Sequence, residues 1–187
     1  MKLIDLGLPS GTLWADRNLG ADAPEQYGNY FRFGEIFPYT QNSPEYIFQG
    51  ITHDISSSIY DVAMTEYDIN LCIPDNMQLW ELFEYGCWSE ETLNGIKGMQ
   101  VVGPNKKEIF LPAAGYRDSD GSVKDLGLAG HYRSSILRNE RLTVTFFFNE
   151  YLWDDGASNC NLGMSIRPIK FIRRNYYYDC YGRIRKL

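Results

Sequence analysis

The clearest pattern along this chain is the alternation of apolar and polar residues between positions 142 and 149. The apolar positions recur at every second residue, namely Leu142, Val144, Phe146 and Phe148. This period is typical of a β-strand with one buried face, and we expect Met164 and Ile166 to join the same core. The opposite face of the predicted strand and its continuation mixes rings with short polar groups: Arg141, Thr143, Thr145, Phe147, Asn149, Tyr151 and Trp153. Such a mixture suits a recognition surface.

A second pattern predicts one well-formed helix at residues 75–86. Asp75 is suited to the N-cap, and Gln78 stands three residues later, as in a capping box. Leu79, Leu82 and Phe83 form the expected buried stripe, and Gly86 ends the helix.

Several shorter elements follow from turn residues and small apolar runs. Residues 12–15 predict a short strand anchored by Trp14, and residues 23–27 a short helix. Residues 99–102 and 108–111 flank a turn and predict a hairpin, while the small residues at 112–117 would allow another backbone to approach closely. Residues 37–70 indicate a long, irregular insertion with a helical turn or two near 59–64.

Length and charge narrow the class of protein. With 187 residues and 44% hydrophobic content, the chain is sized for one core. Its net charge of −6 argues against binding to nucleic acid. Residues 173–187 carry five basic residues and one acid, a net of +4, which leaves −10 for residues 1–172. We therefore expect one acidic domain at 1–172 and a basic, Tyr-rich tail at 173–187. The tail is suited to dock on that domain, on a neighbouring subunit of a homo-oligomer or on an anionic surface, and docking within its own assembly is favoured.

The cysteines and the apolar runs exclude further classes. Cys72, Cys87, Cys160 and Cys180 lack the spacing of a zinc site or a redox motif, so reduced thiols are expected, with no metal or cofactor. No apolar run has the length of a signal peptide core or of a membrane helix. As written, the chain is expected to be soluble and to carry no export signal of its own.

Five blocks of sequence together resemble one known family. They read LGLPSGTLWADRNLGADAPEQYGNYFRFGE, then YDVAM with IPDNMQLWEL, then NGIKGMQVVGPNKKEIFLPAAGYRD, then HYRSS, then SIRPI. In this order they resemble the Fibrobacter succinogenes major paralogous domain family over roughly residues 3–170. The resemblance implies an α+β, C-type-lectin-like fold, with two helices packed on twisted antiparallel sheet and the chain ends close together. It also implies a non-enzymatic protein of gut bacteria, often exported as a lipoprotein.

Two features depart from that family. The chain begins at the first block and adds a basic tail after SIRPI, and Arg133 stands where family members have Trp. These features resemble the variable proteins of diversity-generating retroelements, which are often phage-borne. In that subgroup, adenine-directed mutagenesis alters residues near the C-terminus, and residues 131–161 are suitably placed. The resemblance implies a ligand-binding domain at 1–172. It also implies a location in a phage virion, attached through the tail, in the cytoplasm before assembly, or at a cell surface if a signal segment has been removed.

Enzymatic and calcium-dependent functions find less support. His53 and His131 lie in different segments, with no motif that pairs either with a nucleophile. Formylglycine-generating enzymes share the implied fold, but nothing near Cys160 or Cys180 indicates the reactive thiol that they need. Residues 153–155 resemble the Trp-Asn-Asp motif of calcium-dependent lectins. Calcium needs a second oxygen cluster, and Asn139 with Glu140 lacks the shaping proline.

Binding is the expected function, either of a protein or of a glycan on a cell surface. A hairpin-like return after the strand would bring together the groups that precede and follow it. The candidate ligand-binding residues are Arg133, Arg138, Asn139, Glu140, Arg141, Asn149, Tyr151, Trp153, Asp154, Asp155, Ser158, Asn159 and Asn161. The alternatives are a structural subunit of a virion or surface assembly, and a calcium-dependent lectin.

Overall fold

The computed structural model describes residues 1–48, 50–51, 53–149, 153–170, 176–178 and 184–186. Within these ranges the protein is α+β, with mostly antiparallel strands, one α-helix and one short π-helix. The elements in chain order are β1 (Leu3–Asp5), β2 (Leu13–Ala15), the π-helix (Ala63–Tyr67), α1 (Asn76–Tyr85), β3 (Cys87–Leu93), β4 (Ile96–Val102), β5 (Glu108–Pro112), β6 (Tyr116–Arg117), β7 (Val123–Lys124), β8 (Ala129–Asn139), β9 (Leu142–Asn149), β10 (Trp153–Asn159), β11 (Ile169–Lys170), β12 (Tyr176–Tyr178) and β13 (Ile184–Lys186).

The first sheet joins strands from opposite ends of the chain. Its order is β1-β2-β11, and the central residue Trp14 pairs with Ile4 on one side and with Ile169 on the other. Trp14 is completely buried, as its role as an anchor predicts. Residues 3–5 and 169–170 are therefore held in one sheet, on opposite sides of β2.

Helix α1 begins and ends where the sequence predicts. The Asp75 carboxylate accepts a hydrogen bond of 2.7 Å from the Gln78 amide, and the Gln78 side chain accepts one of 2.9 Å from the Asp75 amide. Leu79 and Leu82 are buried, and Phe83 is partly buried. The helix packs on β8 and β9, with the Phe83 ring 6.2 Å from that of Phe146.

The sheet β10-β9-β8 contains the strand predicted from alternation. Phe146 and Phe148 are buried as expected, as are Met164 and Ile166. The predicted alternation is wrong in the first half of β9, however, because Leu142 and Val144 are only partly buried, whereas Thr143 and Thr145 are buried. Their hydroxyls bind to polar groups inside the protein, which explains how short polar residues occupy a closed face.

The predicted hairpin is the β4–β5 pair of the sheet β3-β4-β5. The chain after β5 makes the close backbone approach that its small residues indicate. Gly115 has a φ of +61° and pairs with Gly130, and a Cβ atom there would lie 2.0 Å from the carbonyl oxygen of Lys124. Only glycine fits this position without moving the backbone.

The insertion at 37–70 is irregular, as predicted, but it has its own core. Buried residues of the insertion, among them Ile51, Ile55 and Val62, pack with Phe31 and Phe33. The helical turn expected near 59–64 is the π-helix, displaced toward the C-terminus. The short helix predicted at 23–27 is absent, and this segment forms turns instead. The Gln26 amide bonds to the Ala23 carbonyl at 3.1 Å and the Gln26 side chain accepts a hydrogen bond of 2.8 Å from the Asp22 amide, so the segment closes as a turn.

The tail contributes a hairpin. Strands β12 and β13 pair antiparallel as a separate two-stranded sheet, with Tyr177 opposite Arg185. Within the described parts of the chain, no helix has the length and apolar character to cross a membrane.

Candidate ligand-binding cleft

A cleft of about 830 Å³ opens where the insertion meets the turn between β8 and β9. Its walls come from residues 39–48 of the insertion and from the turn at 119–121, and one end is formed by the tips of β9 and β10. The lining residues include Arg32, Tyr39, Gln41, Ser43, Glu45, Tyr46, Asp120, Glu140, Arg141, Asn159, Cys160 and Asn161. Ligand pockets of several hundred cubic ångströms are typical of small-molecule and oligosaccharide sites. We call this feature the insertion cleft.

Arg32 fixes the shape of the insertion wall. Its side chain is only 4% exposed, and its guanidinium forms a two-pronged ion pair with Glu35, with N–O distances of 2.6 and 2.8 Å. Nη1 also donates a hydrogen bond of 2.9 Å to the carbonyl oxygen of Pro44. Because the planar guanidinium uses both edges, the loop is held at two points by one side chain.

Two tyrosines of the insertion pack against the Arg32 guanidinium. The guanidinium carbon lies 4.4 Å from the ring centre of Tyr39 and 5.5 Å from that of Tyr46. The Tyr39 hydroxyl donates to the carbonyl oxygens of Asp118 and Ser119, at 2.9 and 3.1 Å, which ties the two walls together. The cation–π contacts and the hydroxyl bonds give the cleft a preformed wall rather than a loose loop.

The opposite end of the cleft is the turn between β8 and β9. Asn139 shapes this turn, because its side-chain oxygen accepts hydrogen bonds of 3.0 Å from the amides of Arg141 and Leu142. Glu140 and Arg141, which are exposed at the tip of this turn, line the cleft. Strand β10 returns antiparallel, so that Asn159 pairs with Leu142, and the Cys160 amide bonds to the Arg141 carbonyl at 2.8 Å.

The charges at the cleft favour neutral or cationic ligands. Three exposed carboxylates, of Glu45, Asp120 and Glu140, line it beside the exposed guanidinium of Arg141. The Arg32 charge is already matched by Glu35. Burial raises the pKa values of the Cys160 thiol and of the Tyr46 hydroxyl, so both stay protonated near neutral pH. The cleft therefore presents hydrogen-bonding groups and rings rather than a charged nucleophile.

Four residues predicted for binding meet in this cleft, namely Glu140, Arg141, Asn159 and Asn161. The expected hairpin return accounts for this meeting, since β9 and β10 are paired along their lengths. The same pairing separates Asp154 and Asp155 from these four residues. Asp154 pairs with Phe147 and Asp155 with Phe146, which lie toward the far end of the hairpin.

The predicted surface is consequently divided. Six residue steps separate Trp153 from Asn159, or about 20 Å along a strand. Trp153 pairs in register with Phe148, so the alternation predicted past Asn149 does not continue through the turn. Asn149 lines a smaller cavity at that far end. Tyr151 lies outside the described residues.

Arg133 requires the largest correction, because it is not a surface residue. Its side chain is 1% exposed and donates to the Phe31 carbonyl at 3.3 Å, to the Thr143 hydroxyl at 2.7 Å and to the Leu162 carbonyl. Burial lowers the pKa of Arg133 to about 10, which still leaves it protonated at neutral pH. Arg133 therefore stabilises the structure under the cleft. Arg138, in contrast, is exposed on β8. The Ser158 hydroxyl forms a hydrogen bond of 3.0 Å with the Thr145 hydroxyl.

Calcium coordination by the two predicted clusters is incompatible with the register. Asp155 pairs with Phe146 and Asn139 with Leu142, so four residue steps, about 13 Å, separate the clusters along β9. Calcium needs its oxygen ligands within about 2.6 Å. Nowhere in the described ranges do three His, Cys, Asp or Glu side chains form a group that could hold a metal ion.

The insertion side of the cleft was not predicted from sequence. Arg32, Tyr39 and Tyr46 come from one stretch of the chain, and Asp120 comes from a distant turn. The available signal was the length of the insertion and its tyrosines, since long ordered loops commonly carry function. The partners of each residue become visible only when the loop is folded over the sheet.

Comparisons with protein-family models, with curated proteins and with solved structures find no match to this chain.

Proposed function

We propose that this protein is a non-catalytic binding module that recognises a protein or glycan ligand on a cell surface through the insertion cleft. The observation that carries the proposal is the convergence of Glu140, Arg141, Asn159 and Asn161 on a preformed wall of tyrosines. Amide, hydroxyl and carboxylate groups beside aromatic rings match what recognition of polar ligands needs.

The proposed fold class is C-type-lectin-like. It is supported by the sheet β1-β2-β11, which holds residues 3–5 and 169–170 on either side of β2, and by α1 packed on β8 and β9. The sequence blocks that resemble the Fibrobacter succinogenes major paralogous domain supply the remaining support. The ligand site proposed for such a fold is at its late strands and loops, where the insertion cleft lies.

We further propose that the cleft end of the hairpin is diversified. Glu140, Arg141, Asn159 and Asn161 are in the C-terminal part of the chain, and their side chains line the cleft while the backbone pairing of β9 and β10 is independent of them. The coding DNA tests this. A nearby template copy that differs at adenines, beside a reverse transcriptase gene, is the expected finding, and the lack of both refutes diversification without affecting the binding proposal.

Binding to glycan arrays and to intact cells tests the cleft itself. The variant E140A/R141A removes one acid and one base from the tip of the β8–β9 turn, and loss of binding is expected. The matched control is K107A/E108A, which removes the same charges from exposed positions next to the β4–β5 turn and should bind normally.

A second variant locates the site along the hairpin. The triple change Tyr151→Ala, Trp153→Ala and Asp155→Ala alters the far end of the hairpin. Retained binding by this variant together with loss in E140A/R141A assigns recognition to the cleft. The reverse result moves the site to the far end and overturns the proposal.

A further inference from the structure

A second cavity, of about 330 Å³, adjoins the insertion cleft. Its lining is mostly apolar and comes from residues 34–38 and from the turn at 59–60. Arg32, Ser43 and Pro44 line both cavities, so the two share one wall. The volume lies in the range of preformed ligand sites. We call this cavity the apolar pocket.

Two large apolar side chains in the lining of the apolar pocket face solvent. Phe37 is 70% exposed and Ile59 is 72% exposed. Their backbone is held in place, because the Tyr39 amide donates to the Tyr30 carbonyl at 2.7 Å. Beside Ile59, the Ser58 hydroxyl donates to the carbonyl three residues earlier, also at 2.7 Å. Apolar groups that are grouped on a surface, rather than scattered singly, mark sites of interaction.

An apolar pocket beside a polar cleft distinguishes between a protein ligand and a glycan ligand. A sugar ring carries hydroxyls, and an apolar wall leaves buried hydroxyls without hydrogen-bond partners. The side chain of a leucine, isoleucine or phenylalanine loses no such bonds, and its burial is favourable. The apolar pocket therefore favours a protein ligand.

The charges of the adjoining cleft specify the rest of that ligand. The carboxylates of Glu45, Asp120 and Glu140 are exposed in the cleft lining, beside the exposed guanidinium of Arg141. The Ser122 amide and hydroxyl donate to the Asp120 carboxylate at 2.8 and 2.6 Å, which lowers the pKa of Asp120 and keeps it charged. Because opposite charges across an interface steer encounter and fix register, the acidic excess suits a lysine or arginine side chain.

We propose, on the basis of the binding function proposed above, that the ligand of the insertion cleft is a protein. Its bound segment places a basic side chain in the cleft and an apolar side chain in the apolar pocket. The shared wall of Arg32, Ser43 and Pro44 brings the two cavities within reach of one extended segment.

An array of synthetic peptides tests this pairing with defined probes. Each peptide carries one lysine and one leucine, separated by up to about six serines, which gives a reach of about 20 Å. Matched peptides replace the lysine with glutamate or the leucine with serine. At the fitting spacing, the lysine–leucine peptide should bind about tenfold more tightly than either matched peptide. An array on which no lysine–leucine peptide exceeds both matched peptides overturns the proposal.

Two variants of the protein assign each side chain of the peptide to its cavity. Phe37→Ser with Ile59→Ser should abolish the preference for leucine over serine and keep the preference for lysine over glutamate. Glu45→Gln with Glu140→Gln should do the reverse. All four positions are exposed or rim the cavities, so these changes should cost little stability. A leucine preference that persists in F37S/I59S overturns the proposal.

The matched control for the apolar pocket is Ile69→Ser. Among the described residues, Ile69 is as exposed as Ile59, at 75%, and belongs to the lining of neither cavity. This variant should keep both preferences. A loss of the leucine preference in Ile69→Ser equal to that in F37S/I59S would show that the effect is not specific to the apolar pocket, which contradicts the proposal.

Two further measurements separate this proposal from the binding function on which it rests. Glycan binding that is lost in E140A/R141A, with no preference for lysine–leucine peptides, keeps the cleft as the binding site and refutes a protein ligand. Peptide binding that is unchanged in E140A/R141A refutes the cleft itself, and with it both proposals. Light scattering that shows a wild-type dimer and a monomeric F37S/I59S places a second copy of the chain in the apolar pocket, which also overturns the proposal.

Discussion

The guanidinium of Arg133 donates a hydrogen bond of 2.7 Å to the hydroxyl of Thr143, and both side chains are almost fully buried. The other two hydrogen bonds of Arg133 reach the main-chain carbonyls of Phe31 and Leu162. Within the described residues, no carboxylate lies within 4 Å of this guanidinium. A buried cation held by neutral acceptors links β8, β9 and the chain that leads into the cleft, so its contribution is structural.

We therefore expect Arg133→Ala to lower the free energy of unfolding by about 3 kcal/mol, because it leaves buried acceptors unpaired and opens a cavity. Chemical denaturation measures this loss. Arg138→Ala is the matched control on the same strand, and it should change stability by less than about 0.5 kcal/mol because Arg138 is exposed. A similar small effect at Arg133 would contradict its structural role.

Asp61 organises the core of the insertion. Its carboxylate accepts hydrogen bonds from four main-chain amides, those of Ser57, Ala63, Met64 and Ile73, at 2.8 to 3.4 Å. Asp61→Ala should cost about 3 kcal/mol of unfolding free energy and speed proteolysis within residues 37–70.

Two further variants check the role of Asp61. Asp61→Asn keeps one acceptor oxygen and should show a smaller loss. The exposed Glu66→Ala should leave stability and proteolysis close to wild type. An insertion cleaved no faster in Asp61→Ala than in wild type would count against this account.

His131 makes stability depend on pH. Burial lowers its pKa below the ordinary value of 6.5, and the carboxylate of Asp125, 3.3 Å away, opposes this only in part. The rings of Tyr116 and Phe147 cover it, and the carboxylates of Asp118 and Asp120 lie near Tyr116. Below pH 6.5 the unfolded chain gains a proton that the folded chain still excludes, so stability falls as the solution becomes more acidic.

Thermal unfolding at a series of pH values checks this expectation. His131→Gln should flatten the part of the profile just below pH 6.5. Asp125→Asn removes the opposing charge and should make the acid loss steeper, and asparagine tolerates the positive φ of 56° at that position. Parallel profiles for all three proteins would refute a role for His131.

Calcium should leave stability unchanged. The two oxygen clusters are separated along the β9–β10 hairpin, so no single ion can be held by both. Excess calcium and a chelator should give the same melting temperature, whereas an ion bound only by the folded protein would raise it. A calcium-dependent rise would restore the lectin alternative.

The sequence alone determined the elements whose causes are local. The capping box of Asp75 and Gln78, the turn between β4 and β5, and the extended backbone of β9 each depend on residues a few positions apart, and all three form. The predicted core face of β9 holds only at Phe146 and Phe148. Local signals failed at residues 23–27, where the Gln26 amide bonds to the Ala23 carbonyl and the chain forms a turn instead of a helix.

Only the tertiary structure decided which predicted surface residues meet and which are buried. Arg133 and Thr143 are buried because the segments around Phe31 and Leu162 cover β8. Phe31 and Arg133 are about 100 positions apart in the sequence. The register of β9 and β10 separated Asp154 from Arg141, and the folded insertion supplied Tyr39 and Tyr46 to the cleft. Such contacts depend on where distant segments pack, and alternation along one strand carries no information about what covers its second face.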